Sequence, residues 1–268
     1  MKNPLVPLEV IRQKRGFICD MDGVLYHGND LLPGTKRFVD WLHQENKNFL
    51  FLTNSSQRSP KELRQKLQRM GLDVEEEHFY TSALSTAEFL RNQDPGCSVY
   101  CIGEAGLHNA LYEAGISMND VDPDYVVVGE TENYNYQSIT KAVQLVQSGA
   151  KLIGTNPDLT GPGDGGITLP ACRAMVAPIE LSTGQNAYFL GKPNPLMMRT
   201  GIRLLGCDTA DAAIVGDRMD TDIIAGIESE IDTILVLTGV STRKTVRHFP
   251  YRPRYIIDSV GDIADLEE

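Results

Sequence analysis

The fold of this chain is decided by one stretch, Gly16-Phe-Ile-Cys-Asp20-Met-Asp22-Gly-Val-Leu25. A short apolar run ends at two carboxylates one residue apart, and a glycine follows at once. An apolar run of this length beside a turn signal is typical of a buried strand. Asp20 and Asp22 would then lie at the carboxyl end of that strand, which is the edge where open α/β sheets bind ligands. Gly23 permits a sharp turn there and leaves its N–H free to face an anion.

Two carboxylates this close repel each other unless a positive charge offsets them. A hard divalent cation such as Mg²⁺ would do so, because it takes oxygen ligands from carboxylates and carbonyls. One acid can then serve as a nucleophile, while the other, with a raised pKa, carries a proton. Two surface aspartates at a solvated strand end would give the same motif, so the rest of the chain has to decide.

Length, composition and charge narrow the function classes. The chain has 268 residues, enough for one large domain or two smaller ones, and 41% hydrophobic residues are usual for a globular protein. No apolar run approaches the length of a membrane span. The formal net charge of −11 argues against a nucleic-acid polymer or an anionic membrane as the main partner. A phosphorylated substrate would therefore need a local site made of backbone amides, a lysine and a metal.

The number of cysteines and the N-terminal sequence indicate the cellular compartment of the protein. The five cysteines are an odd number, and the first 14 residues contain no apolar core of signal-peptide length. We therefore expect a cytoplasmic protein in a reducing environment. The sequence leaves open whether Leu8, Val10 and Ile11 pack on their own domain or on another subunit of a homo-oligomer.

Apolar strands and amphipathic helices alternate along the chain. The pattern predicts a strand ending near Asp20, and further strands at 48–54, 78–82, 98–102, 125–128, 151–154, 187–190, 212–215, 233–237 and 255–257. It predicts helices at 35–45, 60–70, 83–90, 106–114, 136–146 and 173–182, and a loop at 157–166. This alternation predicts an α/β fold with mostly parallel sheets and right-handed crossovers.

Four polar clusters follow apolar strands. They are Asp20 with Asp22, Thr53-Asn54-Ser55, Gly191-Lys192-Pro193, and Gly216-Asp217 with Asp220 and Asp222. Together they contain what phosphoryl transfer requires: a nucleophile, a proton carrier, a metal site, a hydroxyl donor and a fixed cation. Each cluster has a structural alternative, since Thr53 could cap a strand, Lys192 could be solvated and Asp217–Asp222 could begin a helix. A single polar cluster can follow a strand by chance, but it is much less expected that all four clusters do so.

The motifs DMDGVL, FLTN, GKPNP and GDRMDTD resemble the four ordered motifs of the haloacid dehalogenase (HAD) superfamily of aspartate-nucleophile phosphatases. The insert between the second and third motifs resembles the large α/β cap of the NagD-type subfamily. Further segments, including FYTSA, DPDYVVVGET, GTNPD and ILVLTGVS, are also similar to that subfamily. The resemblance implies a doubly wound parallel-sheet core at 1–82 and 187–268 and an inserted α/β cap domain at 83–186.

The resemblance also implies a role for each motif residue. Asp20 would form an aspartyl-phosphate, and Asp22 would protonate the leaving oxygen and later activate water. Mg²⁺ would be held by Asp20, the backbone carbonyl of Asp22 and Asp217, with Asp222 orienting that shell through hydrogen bonds. Thr53 and the Asn54 amide would bind the phosphoryl oxygens, and Lys192 would neutralise charge there. Backbone and side-chain groups of Arg218, Met219, Asp220 and Thr221 would contact ligand or metal-bound water.

The predicted cap contains one further candidate, Asn156-Pro157-Asp158, which ends a cap strand. Asn156 and Asp158 are expected to contact the substrate, mostly because of the resemblance; an Asx turn at a strand end is the structural alternative.

The sequence therefore favours a magnesium-dependent phosphatase that acts on a small phosphorylated metabolite. Nucleoside 5′-monophosphates are the substrate class that the resemblance suggests, with sugar phosphates or p-nitrophenyl phosphate as alternatives. Two other classes stay open on the residues alone. A two-component receiver domain also uses an acidic cluster, a Thr and a Lys-Pro, but the spacing of Asp20 and Asp22 and the long insert count against it. A non-catalytic phosphoryl-ligand-binding protein would not need the complete set of motifs.

Overall fold

The computed structural model describes residues 8–163 and 167–264. Residues 1–7, which belong to the N-terminal segment in which we expect no export signal, lie outside the described residues. The chain forms two compact units. The first comprises Met1–Leu52, Arg64–Phe79 and Met198–Glu268, and the second comprises Thr53–Leu63 and Tyr80–Met197. Within the described residues, every helix is too short or too polar to cross a lipid bilayer.

Helices and strands alternate as the sequence predicts. Those that build the first unit, some of which cross its borders, are α1 (Leu8–Arg12), β1 (Gly16–Cys19), β2 (Tyr26–His27), β3 (Asp30–Leu31), α2 (Thr35–Gln44), β4 (Asn48–Thr53), α3 (Pro60–Arg69), β5 (Phe79–Thr81), α8 (Pro195–Leu205), β13 (Ala212–Gly216), α9 (Ile224–Glu228), β14 (Asp232–Val236), β15 (Tyr255–Ile257) and α10 (Gly261–Ala264). Those of the second unit are α4 (Ser82–Gln93), β6 (Ser98–Ile102), α5 (Ala105–Glu113), β7 (Ser117–Met118), β8 (Tyr125–Val128), α6 (Tyr136–Gln147), β9 (Lys151–Gly154), β10 (Thr160–Pro162), β11 (Thr168–Pro170), α7 (Cys172–Thr183) and β12 (Tyr188–Phe189).

The first unit is organised around β1, which lies inside a six-stranded sheet of order β15-β14-β13-β1-β4-β5. All four residues of β1 are buried, as expected for a parallel strand covered on both faces. Phe17 packs edge-on against Trp41 of α2, with ring centroids 5.6 Å apart. Strand β1 pairs in parallel with β13, Cys19 opposite Val215, so their carboxyl ends lie at the same edge of the sheet.

The second unit has its own five-stranded parallel sheet, in the order β12-β9-β8-β6-β7. Strand β8 shows why both faces are covered by helices. Its alternate residues Tyr125 and Val127 pack in one apolar cluster with residues of α4 and α5. Val126 and Val128 pack in another, with residues of α6 and α7. Since side chains along a strand alternate between faces, a run of four apolar residues serves both clusters.

The prediction of a doubly wound α/β fold with parallel sheets is confirmed, and strands 98–102, 125–128 and 151–154 have the predicted bounds. Three details differ. The strand expected at 187–190 in the core pairs with β9 of the second sheet, since Gly154 has no side chain to block the Phe189 ring. The expected loop at 157–166 contains β10, which pairs with β11 in an antiparallel hairpin. The helix predicted at 173–182 extends by one residue at each end, as Cys172–Thr183, and Pro178 lies inside it.

Candidate active site

Three buried carboxylates meet in the first unit. One oxygen of each of Asp20, Asp217 and Asp222 lies within 4.8 Å of the others. Asp20 directly follows β1 and Asp217 directly follows β13, so the parallel pairing of these strands brings the two side chains to one edge. The structure thus brings these three predicted site residues together.

Asp222 reaches the cluster because the chain after β13 turns tightly. Residues Met219–Ile223 form a wide, π-type helical turn that leads into α9. The Arg218 N–H donates to Asp222 Oδ2 at 3.1 Å, which holds the carboxylate against the start of the turn. A Cβ at Gly216 would lie 2.2 Å from Asp222 Cβ, so only glycine permits this approach.

Asp217 is held from the other side by the segment Thr238–Ser241, which follows β14. The Val240 N–H donates to Asp217 Oδ2 at 2.7 Å, and the Ser241 N–H donates to the Asp217 carbonyl at 3.0 Å. A Cβ at Gly239 would lie only 2.0 Å from Asp217 Oδ2. Thr238 also donates its hydroxyl to the Gly23 carbonyl at 2.6 Å, so this segment ties the turn after β1 to Asp217.

The electrostatics of the trio favour a bound cation. Burial raises the pKa of Asp217 well above its ordinary value, and the negative charges of Asp222 and Asp20 raise it further. Within the described part of the chain, Asp217 Oδ1 is buried and has no hydrogen-bond partner. Buried carboxylates without compensating charge are costly, and hard divalent cations choose oxygen ligands of this kind. The residues present therefore fit a Mg²⁺ ion.

Asp22 lies beside the trio in sequence but in different surroundings. Burial raises its pKa, and the positive charges of Lys66 and His27 partly offset that rise. Its Oδ1 lies 3.5 Å from His27 Nδ1, while His27 Nε2 is 2.8 Å from the Thr238 carbonyl. A carboxyl group with a raised pKa retains its proton at higher pH, which suits the general acid that the sequence predicts at this position.

The second unit brings Asn54 and Lys192 together. The side-chain amide of Asn54 contacts the main chain of Lys192 twice, accepting from its N–H at 2.6 Å and donating to its carbonyl at 3.0 Å. Lys192 itself is 2% exposed. Thr53, the last residue of β4, accepts a hydrogen bond from the Ser55 N–H through its hydroxyl at 3.2 Å. Asn54 therefore fixes the backbone that carries the lysine.

The two cap candidates of the sequence analysis differ in exposure. Asn156 is 0% exposed and its amide is fully engaged, donating to the Asn54 carbonyl at 2.7 Å and accepting from the Asp158 N–H at 3.1 Å. The polar atoms of Asn156 are therefore satisfied by contacts inside the protein. Asp158 is only partly buried, and its Oδ2 accepts from Asn54 Nδ2 at 3.1 Å.

The remaining candidates surround the wide turn after β13. The Arg218 guanidinium pairs with the exposed Asp220 carboxylate at 3.0 Å. Met219 is 1% exposed and packs against Leu235 and Val246, so its side chain belongs to the core. Thr221 is buried.

Sequence reasoning attached no role to several residues that shape these groups. Gly239 and Ser241 were visible only as part of the family segment ILVLTGVS. Glu130 contacts Asn156 and Ser56 in the second unit, and it was visible only as part of DPDYVVVGET. Only a comparison across related sequences could have singled them out, since neither segment follows a motif that predicts chemistry.

Comparison with known proteins agrees with this geometry. A family model described as haloacid dehalogenase-like hydrolase matches residues 17–117, and a HAD-hydrolase-like model matches residues 189–263. The dihydroxyacetone phosphatase of Corynebacterium glutamicum (strain R) is 42% identical over 249 residues, which are 93% of this chain and 90% of the relative. This chain belongs to the haloacid dehalogenase-like hydrolases.

Further relatives place it among the NagD-type HAD phosphatases. An acid sugar phosphatase of Staphylococcus aureus (strain USA300) is 40% identical over 96% of this chain and 100% of the relative. The structure of NagD from E. coli K-12 has a TM-score of 0.87 and 39% identity, covering 93% of this chain and 98% of that one. A 4-nitrophenylphosphatase structure from Thermotoga maritima has a TM-score of 0.90 at 33% identity, covering 95% and 98%. The protein is thus a phosphoric monoester hydrolase, and the receiver-domain and non-catalytic alternatives are wrong.

Proposed function

We propose that this NagD-type HAD phosphatase hydrolyses small sugar or triose phosphates with Mg²⁺ and through an aspartyl-phosphate at Asp20. The observation that carries the proposal is the buried trio of Asp20, Asp217 and Asp222, in which Asp217 Oδ1 has no hydrogen-bond partner among the residues that the structure describes. A metal held by Asp20, Asp217 and the Asp22 carbonyl would supply positive charge to the phosphoryl oxygens. Asp222 would orient these groups through hydrogen bonds.

The residues divide the reaction into two displacements. A carboxylate oxygen of Asp20 attacks phosphorus, and the ester oxygen leaves with a proton from Asp22. Asp22, now ionised, then takes a proton from water, whose oxygen attacks phosphorus and releases inorganic phosphate and the Asp20 carboxylate. Thr53, the Asn54 amide and Lys192 bind the phosphoryl oxygens, and Arg218, Met219, Asp220 and Thr221 contribute backbone or side-chain contacts nearby. Such catalysis rests on positioning and charge stabilisation.

The substrate class follows from the relatives rather than from the site. Two of them are named dihydroxyacetone phosphatase and acid sugar phosphatase. The sequence suggested nucleoside 5′-monophosphates first, and these names give that suggestion no support. We therefore put sugar and triose phosphates first and treat nucleotides as an arm of the test.

Recognition of the group beyond the phosphate is assigned to residues within the second unit. We infer that residues 83–186 form the cap domain expected from the sequence and that the partly exposed Asp158 contacts the group beyond the phosphate. Asn156 acts indirectly, by holding Asp158 and the Asn54 carbonyl.

A reducing cytoplasm is the proposed compartment, because none of the five cysteines forms a disulfide within the described residues. The proposed partner is a small phosphorylated metabolite, since the net charge of −11 disfavours polyanionic polymers and membranes.

The test is a panel of phosphate monoesters assayed for released phosphate with Mg²⁺ and with EDTA. The panel includes dihydroxyacetone phosphate, hexose phosphates, nucleoside 5′-monophosphates and p-nitrophenyl phosphate. The proposal expects the highest kcat/KM on a sugar or triose phosphate and loss of activity in EDTA. A clear preference for nucleotides would overturn the substrate class, and full activity in EDTA would overturn the metal requirement.

A further inference from the structure

We propose that Glu130 is a positioning residue for the phosphoryl site: its carboxylate fixes the segment Asn54–Ser56 and, through Asn54, the main chain of Lys192. The proposal rests on the proposed function, in which Asn54 and Lys192 bind the phosphoryl group. All of the contacts that carry it lie within the second unit.

The Asn54 main chain is the point that needs fixing. Its side chain holds Lys192 through two hydrogen bonds, so any rotation of residue 54 moves the backbone of the lysine. The Asn54 carbonyl accepts two hydrogen bonds, from Ser82 Oγ at 2.5 Å and from Asn156 Nδ2 at 2.7 Å. These two donors set the orientation of the peptide that follows residue 54.

Glu130 holds one of these donors. Its Oε1 accepts from Asn156 Nδ2 at 2.5 Å, the same nitrogen that donates to the Asn54 carbonyl. The Asn156 side chain is completely buried, so this contact is shielded from water.

The second carboxylate oxygen of Glu130 contacts Ser56, which lies two positions after Asn54 in the chain. Oε2 accepts from the Ser56 N–H at 3.3 Å and from the Ser56 hydroxyl. A Cβ at Gly129 would lie 2.6 Å from Ser56 Oγ, so the absence of a side chain at position 129 lets Ser56 approach. Thr155 donates its hydroxyl to Ser56 Oγ at 3.2 Å and closes the network.

The chemistry of these partners explains why a carboxylate is needed. Glu130 receives an amide N–H, a backbone N–H and a hydroxyl, all of which donate. An ionised carboxylate only accepts, and hydrogen bonds to a charged acceptor are the stronger kind. Glutamine has nearly the same shape but would turn an NH₂ group towards one of these donors. Glu130→Gln should therefore disrupt these hydrogen bonds, although it changes the shape of the side chain very little.

The experiment compares Glu130→Gln with Glu132→Gln, an exposed glutamate two residues further on. Steady-state kinetics with p-nitrophenyl phosphate and with the best sugar phosphate, inhibition by inorganic phosphate, and Tm are measured for each. For Glu130→Gln we expect kcat/KM to fall about tenfold or more on both substrates, with the inhibition constant of phosphate rising by a similar factor. Glu132→Gln should match the wild type in every measurement.

Three results would overturn the proposal. An unchanged inhibition constant for phosphate, with or without a lower Tm, would leave Glu130 a merely structural residue. A loss confined to the sugar phosphate would make it a reader of the leaving group. Wild-type kinetics in Glu130→Gln would remove any role.

If Glu130→Gln does not fold, Ser56→Ala takes its place, since it deletes a donor to the same carboxylate, and the same readouts apply. Activity of the wild type is measured in the same experiment, so a failure of the proposed function is seen separately.

Discussion

In the proposed mechanism, Asp20 forms a covalent phosphoryl intermediate in every turnover. We predict that Asp20→Asn abolishes hydrolysis of p-nitrophenyl phosphate, because an amide oxygen does not displace the leaving group from phosphorus. The matched control is Asp40→Asn, since the Asp40 side chain is 48% exposed and pairs with Lys36, and this variant should retain full activity. Mass spectrometry of the assayed sample excludes deamidation back to aspartate. Activity near the wild-type level in the intact variant would contradict the assignment.

Individual residues also show which features of the candidate site could be predicted from the sequence. Asp20 and Asp217 could be predicted to meet, because each follows an apolar strand and parallel strands share an edge. The burial of Asn156 could not be predicted, since its partners Asn54 and Glu130 are 102 and 26 residues away in sequence. A polar residue after a strand looks the same in sequence whether it faces substrate or completes an internal network.

At the scale of the elements, the segment Thr238–Ser241 positions Asp217, although its sequence contains no motif that predicts this role. We predict that Gly239→Ala weakens the response to Mg²⁺, because the added methyl group would displace the Asp217 carboxylate. The measurement is activity as a function of Mg²⁺ concentration, with a shift of the midpoint to about tenfold higher Mg²⁺ for a loss of about 1.4 kcal/mol in binding. Gly161→Ala is the control, since a Cβ there meets no atom of the described residues within 4 Å. Equal midpoints in the two variants would show that Gly239 is not needed for the metal site.

The elements that sequence could predict are those whose own residues carry the signal. Strand β8 has four consecutive apolar residues, and its predicted bounds are confirmed. The two-residue strand β12 is different, because it is defined by pairing with β9 and by the space above Gly154. Pattern alone placed it with the strands of the first unit, since nothing local in Tyr188–Phe189 specifies the partner.

For the whole molecule, the raised pKa of Asp217 predicts how stability depends on pH and metal. The folded state without metal binds this proton more tightly than the unfolded chain, so the contribution of Asp217 to stability falls as pH rises from its ordinary pKa, 3.8, through the raised folded value. We predict that metal-free Asp217→Asn has a higher Tm than the metal-free wild type at pH 7, and that the difference shrinks towards pH 4.

Mg²⁺ should reverse that order. At 100 times its dissociation constant the ion stabilises the folded state by about 2.7 kcal/mol, so Tm of the wild type should rise at pH 7 while that of Asp217→Asn changes little. Thermal unfolding with EDTA and with Mg²⁺ at both pH values checks both statements. An equal response of the two proteins to Mg²⁺ would exclude Asp217 as a ligand.

The proposed role of residues 83–186 in specificity gives a further prediction. Asp158→Ala should lower kcat/KM for the preferred sugar phosphate by about tenfold, the effect of about 1.4 kcal/mol. Hydrolysis of p-nitrophenyl phosphate should change much less, because the aryl group offers few polar partners. The control is Asp120→Ala, whose side chain is not among the site candidates. A proportional loss on both substrates would mean that Asp158 supports the phosphoryl site instead.

The position of β1 between β4 and β13 has a consequence for protein synthesis. Its neighbour β4 leaves the ribosome soon after it, but β13 comes only after the entire second unit has been made. At about 5–20 residues per second, the roughly 190 intervening residues take about 10–40 s to translate. For that time one edge of β1 exposes its backbone N–H and C=O groups without the partner strand. We therefore expect association with other unpaired strands to compete with folding during synthesis.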